Sequence, residues 1–269
     1  MTNPNELLTE LQFSDFAFEQ VNDFSLPKRT GEILTQTRAF AVMSLVAGGK
    51  GTVCNYLREW DICEPTTSHT TRDPEIRDGL DPEHPEASSP RPDSYHFVDM
   101  PHMVGKMLAG EMLEVARVHN QLYGTSLGSL EAVAQKNKRP VLDIDIQGVT
   151  NLREHAPFFP NFFLVTKDVP TWIQRWSGRD STTINRQKFN DRIASARMEA
   201  DSALNMSFGW ETTLVVNDDA ETAAQEVADS LTNERSISST AAQLTLAHFV
   251  EELQETSDDD LWASFQQAA

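Results

Sequence analysis

The sequence predicts an α/β fold in which a mainly parallel sheet is flanked by helices. Apolar, strand-like runs at residues 39–46, 140–145, 161–165 and 213–217 are separated or followed by helix-length stretches, as expected of strands buried on both faces. A glycine-rich turn joins the first run to the first of these helices, a junction typical of parallel sheets.

In chain order, residues 1–37 read as an N-terminal extension. Glu6, Leu7, Leu8 and Leu11 recur at helical spacing, Phe13, Phe16 and Phe18 follow, and Pro27 and Gly31 mark breaks. The phenylalanines are expected to pack on the main domain. Residues 39–46 then form a strand and 52–60 a helix, bracketed by Cys54 and Cys63, which read as two reduced thiols. Residues 79–94 are too rich in proline and acid for a regular element and read as a surface loop. Beyond it, residues 95–98 and 112–118 have β character, which predicts a small mixed lobe inserted in the parallel core. Helices are expected at 127–138, 148–155, 169–176, 187–204 and 221–231. The tail from 233 offers an amphipathic helix at 244–253. It ends in Asp258, Asp259 and Asp260 beside Trp262 and Phe265, either a docking peptide for a protein partner or a frayed terminal helix.

The formal charge of −19 excludes general binding to a nucleic-acid backbone, which needs a basic face. Much of that charge lies in two segments: residues 73–93 carry seven acids against two arginines, and the tail from 233 carries seven against one. No apolar run is long enough to cross a bilayer, and the first residues lack a basic region followed by an apolar one. A cytoplasmic protein without membrane partners is expected.

The turn reads Ser44-Leu45-Val46-Ala47-Gly48-Gly49-Lys50-Gly51-Thr52. Strand, glycines, lysine, hydroxyl and helix are the parts needed to wrap backbone N–H groups around a nucleoside triphosphate. The loop departs from G-x-x-x-x-G-K-[ST], with Ser44 at the first glycine and Gly51 between Lys50 and Thr52. By itself it also fits a plain glycine-rich turn. Further along, Ser68-His69-Thr70-Thr71-Arg72 supplies hydroxyls and a guanidinium suited to a monophosphate. Glu114 with Thr125 offers a carboxylate for two adjacent donors and a hydroxyl for an acceptor, the pattern guanine presents.

With Tyr95, the segment Tyr123-Gly124-Thr125, the run Leu142-Asp143-Ile144-Asp145-Ile146-Gln147-Gly148 and a later stretch of spaced arginines, residues 39–231 resemble a guanylate kinase. The resemblance implies a P-loop nucleoside monophosphate kinase fold with a small mixed β GMP-binding lobe at about 66–126 and a helical lid at about 175–195. The family-like domain would run over 38–232, with an acidic C-terminal extension at 233–269. It implies ATP as co-substrate, with Mg²⁺, and GMP or dGMP as acceptor. Gly48, Gly49, Lys50, Gly51 and Thr52 would bind ATP, with Asn217 near the adenine side. Ser68, Arg72, Tyr95, Glu114, Tyr123, Thr125 and Asp145 would bind GMP. Thr52 and, through water, Asp143 would serve the metal. Lys50, Arg175, Arg179 and Arg192 would be catalytic, with Arg186 a rival for Arg192.

Three departures stand out. Ser44 and Ala47 replace family glycines, Glu75 stands where a second phosphate-binding arginine is usual, and the acidic insertion lies beside that acceptor segment. The rival reading is a guanylate kinase-like interaction module without turnover. The retention of Lys50, Thr52 and the arginines argues for the enzyme. The remaining histidines, His69, His96, His102 and His119, lack metal-ligand spacing and read as surface or satisfied core residues.

Overall fold

Alternating apolar runs and helical stretches give, in chain order, α1 (Glu10–Asn22), α2 (Thr30–Thr37), β1 (Phe40–Ser44), α3 (Lys50–Glu59), β2 (Cys63–Pro65) and β3 (Ser68–Thr70). β4 (Tyr95–Phe97), α4 (Met100–Leu108), β5 (Met112–Val118), β6 (Gln121–Ser126), α5 (Leu127–Ala134), β7 (Arg139–Leu142) and α6 (Ile146–Arg153) follow. The chain continues with β8 (Asn161–Val165), α7 (Val169–Asp180), α8 (Arg186–Phe208), β9 (Thr213–Val216), α9 (Ala220–Asn233), α10 (Thr240–Glu255) and α11 (Asp258–Gln267). This computed structural model describes residues 10–72, 95–118, 121–142, 144–180, 184–208, 212–233 and 239–268. The acidic insertion, Glu75, Asp143 and His119 lie outside the described residues.

Two compact units emerge. One joins Met1–Ile33 to Thr66–Ala132, the other Leu34–Pro65 to Val133–Ala269. In the second unit, five parallel strands run in the order β2-β7-β1-β8-β9. The predicted parallel sheet is therefore present. β1 is central, with β7 on one side and β8 on the other, so the turn after β1 lies where the strand order reverses. That is the ligand-binding end of such sheets. Its core packs Phe40, Val42, Phe162, Leu164 and Val215 against Val53 and Leu57 of α3 and Val227 of α9.

The first unit holds a mixed four-stranded sheet in the order β4-β3-β6-β5, as the expected lobe requires. β3 pairs with β4 in parallel and with β6 antiparallel, and β5 pairs with β6 antiparallel. α1 brings Ala17, with Phe18, Val21 and Phe24, onto a core of Met103, Val104, Met107, Met112 and Leu122. Arg117 also stacks over Phe18 at 3.7 Å. The phenylalanine-rich extension thus belongs to the same contact cluster as the small sheet. α4 escaped prediction, although Asp99 followed by Pro101 is a start signal. Its carboxylate accepts the His102 N–H at 2.8 Å.

The tail is neither frayed nor a free docking peptide. α10 buries Leu246, Phe249 and Leu253, and α11 buries Leu261 and Phe265. Phe265 lies 5.0 Å from Trp176 and 5.2 Å from Phe189, on α7 and α8. Arg197 of α8 reaches the carbonyls of Leu253 and Thr256 and the Asp258 carboxylate at 2.7 Å. The acids that looked like a docking signal open a helix. Ser257 caps α11, and Asp258, Asp259 and Asp260 sit in its first turn, where the helix dipole favours negative charge.

Candidate active site

The turn after β1 leads into α3 through Gly49, which has φ 91° and acts as the N-cap. A side chain on Gly49 would run into the Asn217 amide. One on Gly48 would meet the Ser44 Cβ at 2.7 Å and the Leu45 carbonyl oxygen at 2.9 Å. Both glycines are therefore required by space, and Gly49 also by conformation. Ala47 adopts φ 57°, the left-handed region that a side chain disfavours. Ser44, by contrast, ends β1 in ordinary strand conformation, and its hydroxyl donates to the Leu45 carbonyl at 2.9 Å. Of the two missing family glycines, only Ala47 has a positive φ.

The loop is braced from behind. The Asn217 amide donates to the Gly48 carbonyl at 2.8 Å, and the Trp172 indole donates to the Val46 carbonyl at 2.7 Å. Asn217 is 2% exposed, and its side-chain amide is committed to the loop backbone. Lys50 and Thr52 occupy the first turn of α3, where the helix dipole favours an anion. Burial pushes the Glu199 carboxyl above its ordinary range, Asp145 adds to the rise and Lys50 opposes it. Glu199, Asp145 and Lys50 thus share one electrostatic environment. Sequence reading overlooked Glu199 because a lone acid in a long helix carries no local signal.

Asp145 departs from expectation. β7 ends at Leu142, and Asp145 is an exposed N-cap of α6 whose carboxylate accepts the Gly148 N–H at 2.7 Å. Asp in an extended conformation before a helix is a strong cap, which explains why the strand stops early.

The arginines divide. Arg175 donates to the carbonyls of Asn217 and Asp218 at 2.8 and 3.0 Å, against the end of β9. Arg179 and Arg192 converge instead on one carboxylate, Asp180. Arg179 reaches it at 3.0 Å through both Nε and Nη2, and Arg192 at 2.6 Å. The Trp176 indole N–H donates to the same carboxylate at 3.2 Å. Burial opposes ionisation of Asp180, yet the bonds and charges of Arg179 and Arg192 prevail and hold it below the usual carboxylate range. Arg186, the rival, bonds Asn190 and Asp259.

In the small sheet, register brings several of the sequence-predicted residues onto one face. Ser68 stands opposite Tyr95, Thr70 opposite Tyr123, and Glu114 opposite Thr125. Directly opposed residues share a face, and alternation keeps Tyr123 with Thr125 and Ser68 with Thr70. The Ser68 and Thr125 hydroxyls are 3.1 Å apart, the Tyr95 and Tyr123 rings 5.8 Å, and Arg72 lies 5.6 Å over the Tyr95 ring. Hydroxyls, a carboxylate and a guanidinium on one sheet face suit a polar anionic ligand.

His69 and His96 are paired on β3 and β4, with rings 4.9 Å apart. His69 is buried, and its Nδ1 has no hydrogen-bond partner among the described residues, so it is not the satisfied core histidine expected. Burial, aided by His96, Lys106 and His102, pushes its pKa down to about 4. Cys54 and Cys63 are free, and burial pushes the Cys63 thiol up to about 12. Among the described residues no helix is long and apolar enough to cross a membrane.

A glycine-rich, lysine-bearing loop at the switch point of a parallel sheet, with spaced arginines in the same unit, defines a P-loop α/β protein, and a second unit carries a mixed sheet with a polar face. The sequence model of the guanylate kinase family matches residues 63–234. Guanylate kinase of Cutibacterium acnes is 32% identical over 212 residues, 77% of this chain and 96% of its own. The chain belongs to the guanylate kinase family. Guanylate kinase 1 of Oryza sativa subsp. japonica is 31% identical over 156 residues, 58% of this chain. Guanylate kinase 1 of Arabidopsis thaliana is 32% identical over 175 residues, 64% of this chain. The matched regions span only 37% and 41% of these two plant proteins' lengths.

Proposed function

We propose that this chain transfers the γ-phosphoryl group of ATP to GMP, and to dGMP, giving ADP and the nucleoside diphosphate. The observation that carries the reading is the opposition of Glu114 and Thr125 on the polar sheet face, beside the Ser68 hydroxyl. Glu114 would accept from N1–H and the 2-amino group of guanine, and Thr125 would donate to O6. Adenine would turn a lone pair toward the carboxylate and lacks the 2-amino donor, a mismatch that discriminates strongly when buried. Arg72, Tyr95 and Tyr123 would hold the acceptor phosphate.

On the donor side, amides of Gly48, Gly49 and Gly51 with Lys50 would cradle the triphosphate, and Asn217 keeps the loop in shape. Arg179 and Arg192 would neutralise charge spread over the moving group, with Arg175 fixing the end of β9 beside the loop. Phosphoryl transfer needs mainly positioning and charge neutralisation, so no general base is assigned. Mg²⁺ binds through one or two protein oxygens plus phosphates and water. The Thr52 hydroxyl, in the first turn of α3, would hold it, with Asp143 through water. Bound with ATP, the ion would neutralise phosphate oxygens.

Ala47 at positive φ is the observation that favours the second reading, a catalytically weak or dead guanylate kinase-like protein-interaction module. An ADP-release assay with GMP, dGMP, AMP and UMP separates them. Turnover with the guanine nucleotides alone is expected. Calorimetric binding of GMP with no ADP release would overturn the kinase reading in favour of the module.

A further inference from the structure

Arg179 and Arg192 lie on different helices, and Asp180 is where they meet. Two guanidiniums drawn to one point repel each other, and a carboxylate between them removes that cost while leaving one net positive charge. The anchor is the less exposed partner. The Asp180 side chain is 17% exposed, against 54% for Arg179 and 44% for Arg192. Its bonds use Nε and Nη2 of Arg179 and Nη1 of Arg192. A planar fork can therefore hold the carboxylate along one edge and offer donors along another.

Asp180 is itself fixed. The Trp176 indole donates to it at 3.2 Å, and the Trp176 ring stacks on Phe189 at 5.0 Å with the planes 6° apart. Phe265 of α11 meets the same two rings, and Ser177 donates to the Phe265 carbonyl at 2.6 Å. The C-terminal helices thus lock the ring that aims the carboxylate.

We propose that Asp180 is a positioning residue for phosphoryl transfer: a bracket that holds Arg179 and Arg192 side by side for the triphosphate, itself aimed by Trp176 and the C-terminal helices. The proposal rests on the kinase reading. Because the bracket sets geometry rather than binding the acceptor, its loss lowers kcat and spares KM for GMP. Displacement of catalytic groups by about 1 Å can cost on the order of 10²-fold.

The test compares the full chain with Asp180→Asn, Asp180→Glu and Trp176→Phe, measuring kcat, KM for GMP and ATP, and thermal melting. Asp180→Asn is expected to lower kcat about 10²-fold at near-constant KM for GMP and near-constant melting temperature. Asp180→Glu should restore part of the loss. Trp176→Phe, which keeps the ring and removes the N–H, should lower kcat less than Asp180→Asn. Asp180→Asn with raised kcat or tighter ATP would make Asp180 a competitor for the phosphates and overturn the bracket. Unchanged kinetics, or lower melting with full activity per folded molecule, would overturn it too. A wild-type chain that forms no GDP would sink the kinase reading and the bracket with it. An active wild type with an unaffected Asp180→Asn sinks the bracket alone.

Discussion

Phe265→Ala tests whether the C-terminal helices are part of the nucleotide-core unit. The side chain is 1% exposed and faces Trp176, Phe189 and Trp262 at centroid distances of 5.0, 5.2 and 5.7 Å. Truncating a buried phenylalanine costs about 3–5 kcal/mol, and aromatic pairs place such a site toward the upper part of that range. The backbone bond from Ser177 survives, so the loss is one of packing, about 4 kcal/mol. For a folding unit of this size, each kcal/mol moves the melting temperature by about 2–4 °C, giving a fall of about 8–16 °C. Differential scanning calorimetry on the full chain reads it, with Phe208→Ala, at a residue 61% exposed, as the near-neutral control. A fall below about 2 °C would refute the reasoning, since no docked phenylalanine gives so little. The same docking implies that deletion after Thr232 damages the fold.

Ala47→Gly relieves a left-handed residue at φ 57°. The conformational cost to Ala is about 1–2 kcal/mol, of which glycine's unfolded-state freedom returns about 0.4–1, so chemical denaturation should show a net gain of about 0.5–1 kcal/mol. A loss of that size would mean the loop does not hold this conformation. His69, facing His96 on β4 and His102 and Lys106 of α4, has its pKa lowered to about 4 from 6.5. The unfolded chain takes up the proton first as pH falls, so this contribution to stability is full above 6.5 and declines down to about pH 4. Urea unfolding at several pH values should show a steeper acid decline in the wild type than in His69→Asn. Parallel profiles would contradict the assignment.

Much of the fold was legible because its signals are local. β8 is a five-residue strand, apolar but for Asn161, with every residue buried, and the polar face of the small sheet follows from Ser68, Glu114, Tyr123 and Thr125 standing at compatible register. What was missed depended on tertiary partners. Asp145 looked like a buried strand acid, but its preference for capping a helix won. The bond from the Asn217 amide to the Gly48 carbonyl joins residues far apart in sequence and leaves no local signal. Asp180, the residue after Arg179, carries no local signal of its own. Its meaning appears only when Arg192, twelve residues on, folds back onto it. The tail misled for a similar reason: Trp262 and Phe265 look exposed until α7 and α8 supply Trp176 and Phe189.

The most direct test of the kinase account follows GDP formation from GMP and ATP by phosphorus NMR in Mg²⁺, for the wild type and Lys50→Ala at equal folded concentration. Steady GDP and ADP formation by the wild type is expected, with loss of at least about 10²-fold in Lys50→Ala, because the lysine charge acts on the transferring phosphates. No GDP from the wild type, or equal rates from both proteins, would contradict the account.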